Sequence, residues 1–520
     1  MKQTEERESF MKECNVKEEK SQRNAGILLP VFALPSEEGI GTLGEGAYEF
    51  VDFLTQAGMR VWQVLPLLPT GFGDSPYQSC ASNALNYYFI DLKLLVNDGL
   101  LTDEELGGIT WCDGERIDYS RLFEYKAKIL RFAFSRFNKN RPDWQAFLQK
   151  GKYLDYAVFM ALKEKFAYAT WSDWPKPYRE LNAETIENFK LAHKDELAFW
   201  QFTQYVFLKQ WNALKSYANE SGVEIMGDMP IYVSYDSVET WKYREDLFML
   251  GEDGSPNLRA GVPPDAFSED GQLWGNPVYN WEKMESRDFD WWKKRIEYAF
   301  TLFDIVRIDH FRGFDRYYAV DQNAETAKDG AWRKGPGAKL FKDFKDRKIV
   351  AEDLGVIDEG VLTMMEEAGY PGMKVLSFGF DGDVDNEHKA SNHLENIYAY
   401  TGTHDNAPVM EWLGEMDEQQ MQSFLVEMDV ENTRLGIDRY ELNEISLDDL
   451  CDNIVEQAFA SKANTTIVPM QDILRLGAES RINRPSSVSG GNWSFRFDKT
   501  SFTKEVSDRL LKLAKKYDRL

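Results

Sequence analysis

LFDIVRID, residues 302–309, and KIVAEDLG, residues 348–355, decide how this chain folds. Each carries an Ile/Val-rich run that ends on acid: Asp309 in one, Glu352 and Asp353 in the other. A strand without polar alternation is buried on both faces, as in a parallel sheet covered by helices. Working outward, six further runs have the same character: AGILLPVFAL (25–34), VWQVLPLLP (61–69), VEIMGDMPIYV (223–233), MKVLSFGF (373–380), NIYAYTGTHD (396–405) and TTIVPMQD (465–472). Helical stretches lie between them. Eight parallel strands alternating with helices predict an α/β fold, the (β/α)₈ TIM barrel.

Two intervals exceed a simple crossover. Residues 97–200 contain helical patterns such as DYSRLFEYKAKILRFAFSRF (118–137) and LDYAVFMALKEKFAY (154–168), and predict a helical insertion beside the barrel. The following pattern, LAFWQFTQYVFLKQWNALKSYA, sets Trp200, Phe207, Trp211 and Leu214 on one helical stripe. Residues 251–281 are rich in Gly and Pro and show no period. Loops of this length in compact domains are commonly lids or binding loops, and Phe267, Trp274 and Tyr279 are costly to leave idle in water. Residues 236–285 as a whole are therefore expected to be a substrate-loop insertion. The barrel is expected to span 23–520, after a charged leader at 1–22. The last residues, FTKEVSDRLLKLAKKYDRL, read as a helix, so no separate C-terminal β domain is expected.

Composition excludes some functions. Asp and Glu number 87 against 61 Lys and Arg, for a formal charge of −26. A nucleic-acid binder carries a basic face, and none is visible. Aromatic residues make up 14% of the chain, enough to line a sugar cleft as well as a core. Cys14, Cys80, Cys112 and Cys451 are scattered without a CxxC pair, which favours a reducing compartment. The N-terminus has no apolar signal-peptide core, and no apolar run approaches the roughly 20 residues of a membrane helix. A cytoplasmic protein without membrane partners is expected; the oligomeric state is not readable.

Acidic residues recur at the C-terminal ends of the runs: Asp228, Asp309, Glu352 with Asp353, Asp405 and Asp472. In a parallel barrel that end carries the active site. A convergent carboxylate cluster supports either metal binding, with His310 or His404 joining, or glycoside chemistry with one ionised and one protonated carboxyl. Strand-end caps without chemistry are a third reading for any single residue. Arg307 shares a strand face with Asp309. A guanidinium there is expected to lower the carboxyl's pKa and to oppose a bound cation.

The longer motifs go further. GILLPVFALPSEEGIGTLGEGAYEFVDFL, VWQVLPLLPTGFGDSPYQS, IMGDMPIYVSYDSVETW, GVPPDAFSEDGQLWGNPVYNW, VRIDHFRGF, VAEDLG, YTGTHDNAP and VPMQDILRLGAESRINRP resemble the amylomaltases, the 4-α-glucanotransferases of the α-amylase clan. They run in that family's order from about residue 25 to 497. The resemblance implies Asp309 as nucleophile, Glu352 as general acid/base and Asp405 as the third carboxylate. It implies substrate binding by Arg307, His404, Tyr77, Ser75, Asp265, Glu269, Trp274 and Asn276, with Trp274 and Glu269 over the acceptor side. Asp228 matches a structural position; Gln471 and Asp472 are expected to shape the cleft. No cofactor and no metal is implied. The substrates implied are maltooligosaccharides and glucans derived from starch or glycogen. The implied chemistry is a retaining double displacement with carboxyls about 5–5.5 Å apart. An α-glucan hydrolase of the same clan, an inactive glucan-binding protein and a metal-dependent barrel enzyme are the alternatives. The sequence departs from the family pattern at Ala84–Tyr87, at Ala266 and at the Gly490–Gly491 pair, none of them in the trio.

Overall fold

The computed structural model describes residues 23–520 apart from 113, 115, 265–268, 356, 439–444, 486 and 488–490. The charged leader, with Cys14, lies outside the described residues, as do Asp265, Ala266, Phe267 and Gly490.

Twelve strands occur among the described residues: β1 (Asn24–Leu28), β2 (Val61–Gln63), β3 (Glu224–Met229), β4 (Leu258–Val262), β5 (Gln272–Pro277), β6 (Ile305–Ile308), β7 (Arg316–Asp321), β8 (Ala331–Lys334), β9 (Ile349–Ala351), β10 (Gly372–Val375), β11 (Ile397–Tyr400) and β12 (Thr465–Pro469). Eight form one sheet in the order β10-β11-β12-β1-β2-β3-β6-β9, and every pair in it is parallel. The two ends meet where the Ala351 N–H donates to the Pro371 carbonyl at 2.9 Å, beside β10. The result is the expected TIM barrel. Each of the eight apolar runs supplies one strand, and each strand is shorter than its run. The rest of the run continues into the loops at the C-terminal end, where the functional side chains lie.

The barrel interior is filled by Leu28, Val61, Met226, Ile305, Val350, Met373, Val375, Tyr400 and Ile467, with every strand represented. Such packing closes the middle of the barrel and confines chemistry to its rim. The outer faces bury Ile27, Trp62, Ile225, Val306, Ile349 and Val468 against helices. The helix Lys194–Glu220 leads into β3; Trp200, Phe207, Trp211 and Leu214 on it are fully buried, as the stripe requires. The expected boundary at residue 200 falls inside this helix. Before it stand the helices Tyr119–Arg136, Pro142–Gln149, Leu154–Lys165 and Ala183–Ala192. A buried ion pair, Lys126 with Glu38, joins the first of these to the loop after β1.

Residues 251–281 differ from the aperiodic loop that their composition suggests. β4 and β5 within them pair antiparallel, and β7 and β8 extend the sheet in the order β5-β4-β7-β8. A register shift between Arg259 and Gly261 breaks the alternation that would have marked a strand. After β12 the described residues form helices and turns and no strand, ending in the helix Lys504–Lys516. No helix among the described residues is long and apolar enough to cross a membrane.

Candidate active site

The site begins with a register. Asp228 on β3 sits opposite Arg307 on β6. Their side chains form an ion pair of 2.6 Å, with 0% and 4% of their surface exposed. Two residues on, and therefore on the same side of the strand, Asp309 lies 3.3 Å from the same Arg307 Nη1. Glu352 follows directly after β9. Its Oε2 accepts the His310 N–H at 2.7 Å and its Oε1 the Leu354 N–H at 2.8 Å. Asp405 lies in the loop after β11. There Asn406 Oδ1 accepts from the Thr403 N–H and hydroxyl, a side-chain-closed turn that fixes the loop. Asp405 Oδ1 accepts from Asn483 Nδ2 at 2.7 Å and lies 3.4 Å from His404 Nε2.

Accessibility divides the strand-end acids. Asp309 exposes 28% of its side chain and Asp405 45%, and Glu352 is half-buried; all three can meet a ligand. Asp228, Asp353 and Asp472 are buried and already bonded. Asp353 accepts from the Met373 N–H and from Lys374. Asp472 accepts from the Thr401 hydroxyl and the Val409 N–H. Burial pushes the Asp472 carboxyl up to about 6, against those two hydrogen bonds.

The electrostatics qualify one expectation: Arg307 does lower the Asp309 pKa, but burial outweighs it. Arg307 does not bring Asp309 below the ordinary carboxylate range. Its shorter contact is with Asp228, and burial holds the Asp309 carboxyl well above that range. The charges of Asp228, Glu352 and Asp405 add to this, and only Arg307 opposes it. Burial likewise raises Glu352, against Arg307 and the two backbone donors. Asp228, Asp309 and Glu352 all act on one guanidinium, and the Asp309–Glu352 pair retains a proton into a pH range where isolated carboxyls have lost theirs. Burial lowers the pKa of His404, against the charge of Asp405.

Tyr77 is delivered by the loop after β2. Gly71 closes this loop: a Cβ there would come 1.7 Å from the Gln78 carbonyl oxygen. Ser75 Oγ accepts from the Tyr77 N–H at 3.2 Å. The Tyr77 hydroxyl donates to Asp228 Oδ2 at 2.8 Å, and its ring stacks on His404 at 5.2 Å and 13°. From β5, Trp274 sets its ring against His310 at 4.8 Å and 86°. Gln78 Nε2 donates to the Trp274 carbonyl and to Asn276 Oδ1, docking β5 onto the Tyr77 loop. Asn276 Nδ2 donates to the Val233 carbonyl at 2.8 Å. The structure thus gathers Arg307, His404 and Tyr77 around the carboxylates and sets Trp274 against His310, next to Asp309, while Asn276 meets Gln78 and Val233 rather than a carboxylate. Ser75 shapes its own loop. Glu269 is exposed and shares no hydrogen bond or ion pair with the trio among the described residues. Gln78, Asn483 and the ring contact of His310 were missed in the sequence, although DSPYQS and RINRP carry the first two.

Among the described residues, no three His, Cys, Asp or Glu side chains are placed to hold a metal ion.

The 4-alpha-glucanotransferase family model, glycosyl hydrolase family 77, matches residues 29–501. The chain belongs to this family. It is 42% identical to a 4-alpha-glucanotransferase of Clostridium butyricum, over 94% of this chain and 99% of that one. It is 40% identical to one of Thermus thermophilus, over 96% and 99%. Among solved structures it is similar to an amylomaltase from Streptococcus agalactiae in complex with acarbose, with a TM-score of 0.89 and 38% identity over 96% of this chain and 100% of that one. For a 4-alpha-glucanotransferase, an α-glucan-transferring enzyme, a retained proton next to an accessible carboxylate is the chemistry required.

Proposed function

We propose that this 4-alpha-glucanotransferase moves a segment of a 1,4-α-glucan to the 4-hydroxyl of an acceptor glucan or glucose by retaining double displacement. Asp309 and Glu352 hold one proton between them, and the reactive form is the one with that proton on Glu352 and Asp309 ionised beside Arg307. Glu352 then gives its proton to the glycosidic oxygen as an Asp309 oxygen attacks the anomeric carbon. The C–O bond to the leaving glucan breaks and an ester to Asp309 forms. Glu352, now ionised, takes the proton from the acceptor hydroxyl, which attacks the same carbon and frees Asp309. Asp405, steadied by Asn483, holds hydroxyls of the reacting sugar. Arg307, His404, Tyr77, Ser75, Asp265, Glu269, Trp274 and Asn276 are assigned to substrate binding, with the segment 251–281 over the acceptor side.

The observation that carries this reading is the split among the acids. The three that remain open to a ligand, Asp309, Glu352 and Asp405, stand at the barrel rim around one buried Arg307–Asp228 pair. Maltooligosaccharides and starch- or glycogen-derived glucans are the proposed substrates, in line with the acarbose held by the Streptococcus agalactiae amylomaltase. Cytoplasmic residence is proposed on the free thiols of Cys80, Cys112 and Cys451. Incubation with maltotriose tests the reaction. A ladder of longer glucans plus glucose is expected; shorter sugars alone would make the protein a hydrolase.

A further inference from the structure

We propose that His310 is a positioning residue that ties Glu352 to Trp274, and thereby favours a sugar acceptor over water. This rests on the transfer reading above. Three observations meet at this residue. Its backbone is left-handed, with φ of +49°, a conformation that costs a side-chain-bearing residue energy and persists where the surroundings demand it. That turn aims the His310 N–H at Glu352 Oε2, 2.7 Å away, opposite the Leu354 N–H on the other oxygen. The proton-carrying group is thus held at both oxygens by main chain.

The ring then faces the other way in function. It meets Trp274 edge to face, at 4.8 Å and 86°. Trp274 belongs to β5, the strand that Gln78 docks onto the Tyr77 loop. Gly313 leaves room for the imidazole: a Cβ there would come 3.1 Å from His310 Cδ2. Its buried Nε2 has no hydrogen-bond partner among the described residues, so the ring's place is set by packing on Trp274 and Gly313 rather than by a polar contact. Burial lowers its pKa to about 3, and a neutral ring adds no charge beside Glu352. One residue therefore fixes the acid/base group through its backbone and the acceptor-side aromatic through its side chain. Losing the ring lets Trp274 tilt away and water reach the glycosyl-enzyme.

The His310→Gly variant separates the two roles. Glycine accepts the left-handed turn and keeps the N–H donated to Glu352, and only the ring is lost. Transfer and hydrolysis are measured together on maltotriose for wild type, H310G, W274A and the double variant. H310G is expected to raise the ratio of hydrolysis to transfer about five- to tenfold, and the double variant to match W274A alone. A ratio in H310G equal to wild type, or effects that multiply in the double variant, would overturn the role of His310. A wild type that makes no longer glucans would instead overturn the transfer reading beneath it.

Discussion

At Arg307, one guanidinium nitrogen stands 2.6 Å from Asp228 and 3.3 Å from Asp309, so the two carboxylates compete for it. Asp228 is the buried partner, and removing one member of a buried pair costs about 3–5 kcal/mol because the other is left uncompensated. Asp228→Asn keeps the shape and removes the charge. It releases Arg307 toward Asp309 and deletes one anion from its surroundings. Both changes lower the Asp309 pKa, which is raised in the wild type. The acidic limb of kcat/KM, where the nucleophile must lose its proton, should therefore move to lower pH in D228N, with a lower denaturation midpoint. An acidic limb that stays put would mean that Asp228 does not set the charge of Asp309. Sequence reasoning paired Arg307 with Asp309 from their two-residue spacing. It missed the shorter contact because the β3–β6 register, Asp228 opposite Arg307, is a property of the folded sheet.

Among the elements, the hairpin of β4 and β5 depends on Gln78 for its seat against the Tyr77 loop. Gln78→Ala removes the hydrogen bonds to Trp274 and Asn276, each worth about 1 kcal/mol. KM for the acceptor should rise roughly five- to thirtyfold, with kcat in single-turnover donor cleavage nearly unchanged; a loss confined to donor cleavage would contradict the docking. The eight barrel strands were legible because their Val/Ile/Leu runs are local signals. β4, β5, β7 and β8 were not. Gly261 and Gly275 interrupt the first two, and their pairing joins residues from both sides of β6. The individual roles of Asp309, Glu352 and Asp405 came from the motifs around them; position at a strand end could not separate them from the bonded Asp353 and Asp472.

Across the whole molecule, the formal charge of −26 is far from zero, yet the proposed substrate is neutral. Electrostatic steering acts on charged ligands and is screened over about 10 Å at 0.1 M salt. The kcat/KM for maltotriose should thus change by less than about twofold between 0.05 and 0.5 M salt in steady-state assays. A steep salt dependence would mean that a charged group on the ligand matters. Arg519, after the last helix, is buried and donates to the carbonyls of Asn24, Phe459 and Ala463, pinning this segment to β1 and to the helix Leu447–Ala460. These contacts close the end of the barrel away from the active site, and no sequence motif announced them.

The central claim is that Asp309 becomes covalently glycosylated while Glu352 manages the proton. In Glu352→Gln with α-maltosyl fluoride, the fluoride leaves without acid help and the ester then lacks its base, so the intermediate should accumulate. Intact mass followed by peptide mapping should find one maltosyl group on the peptide carrying Asp309, and none in the Asp309→Asn, Glu352→Gln double variant. An adduct on another residue, or none in E352Q under turnover of the fluoride, would contradict the account.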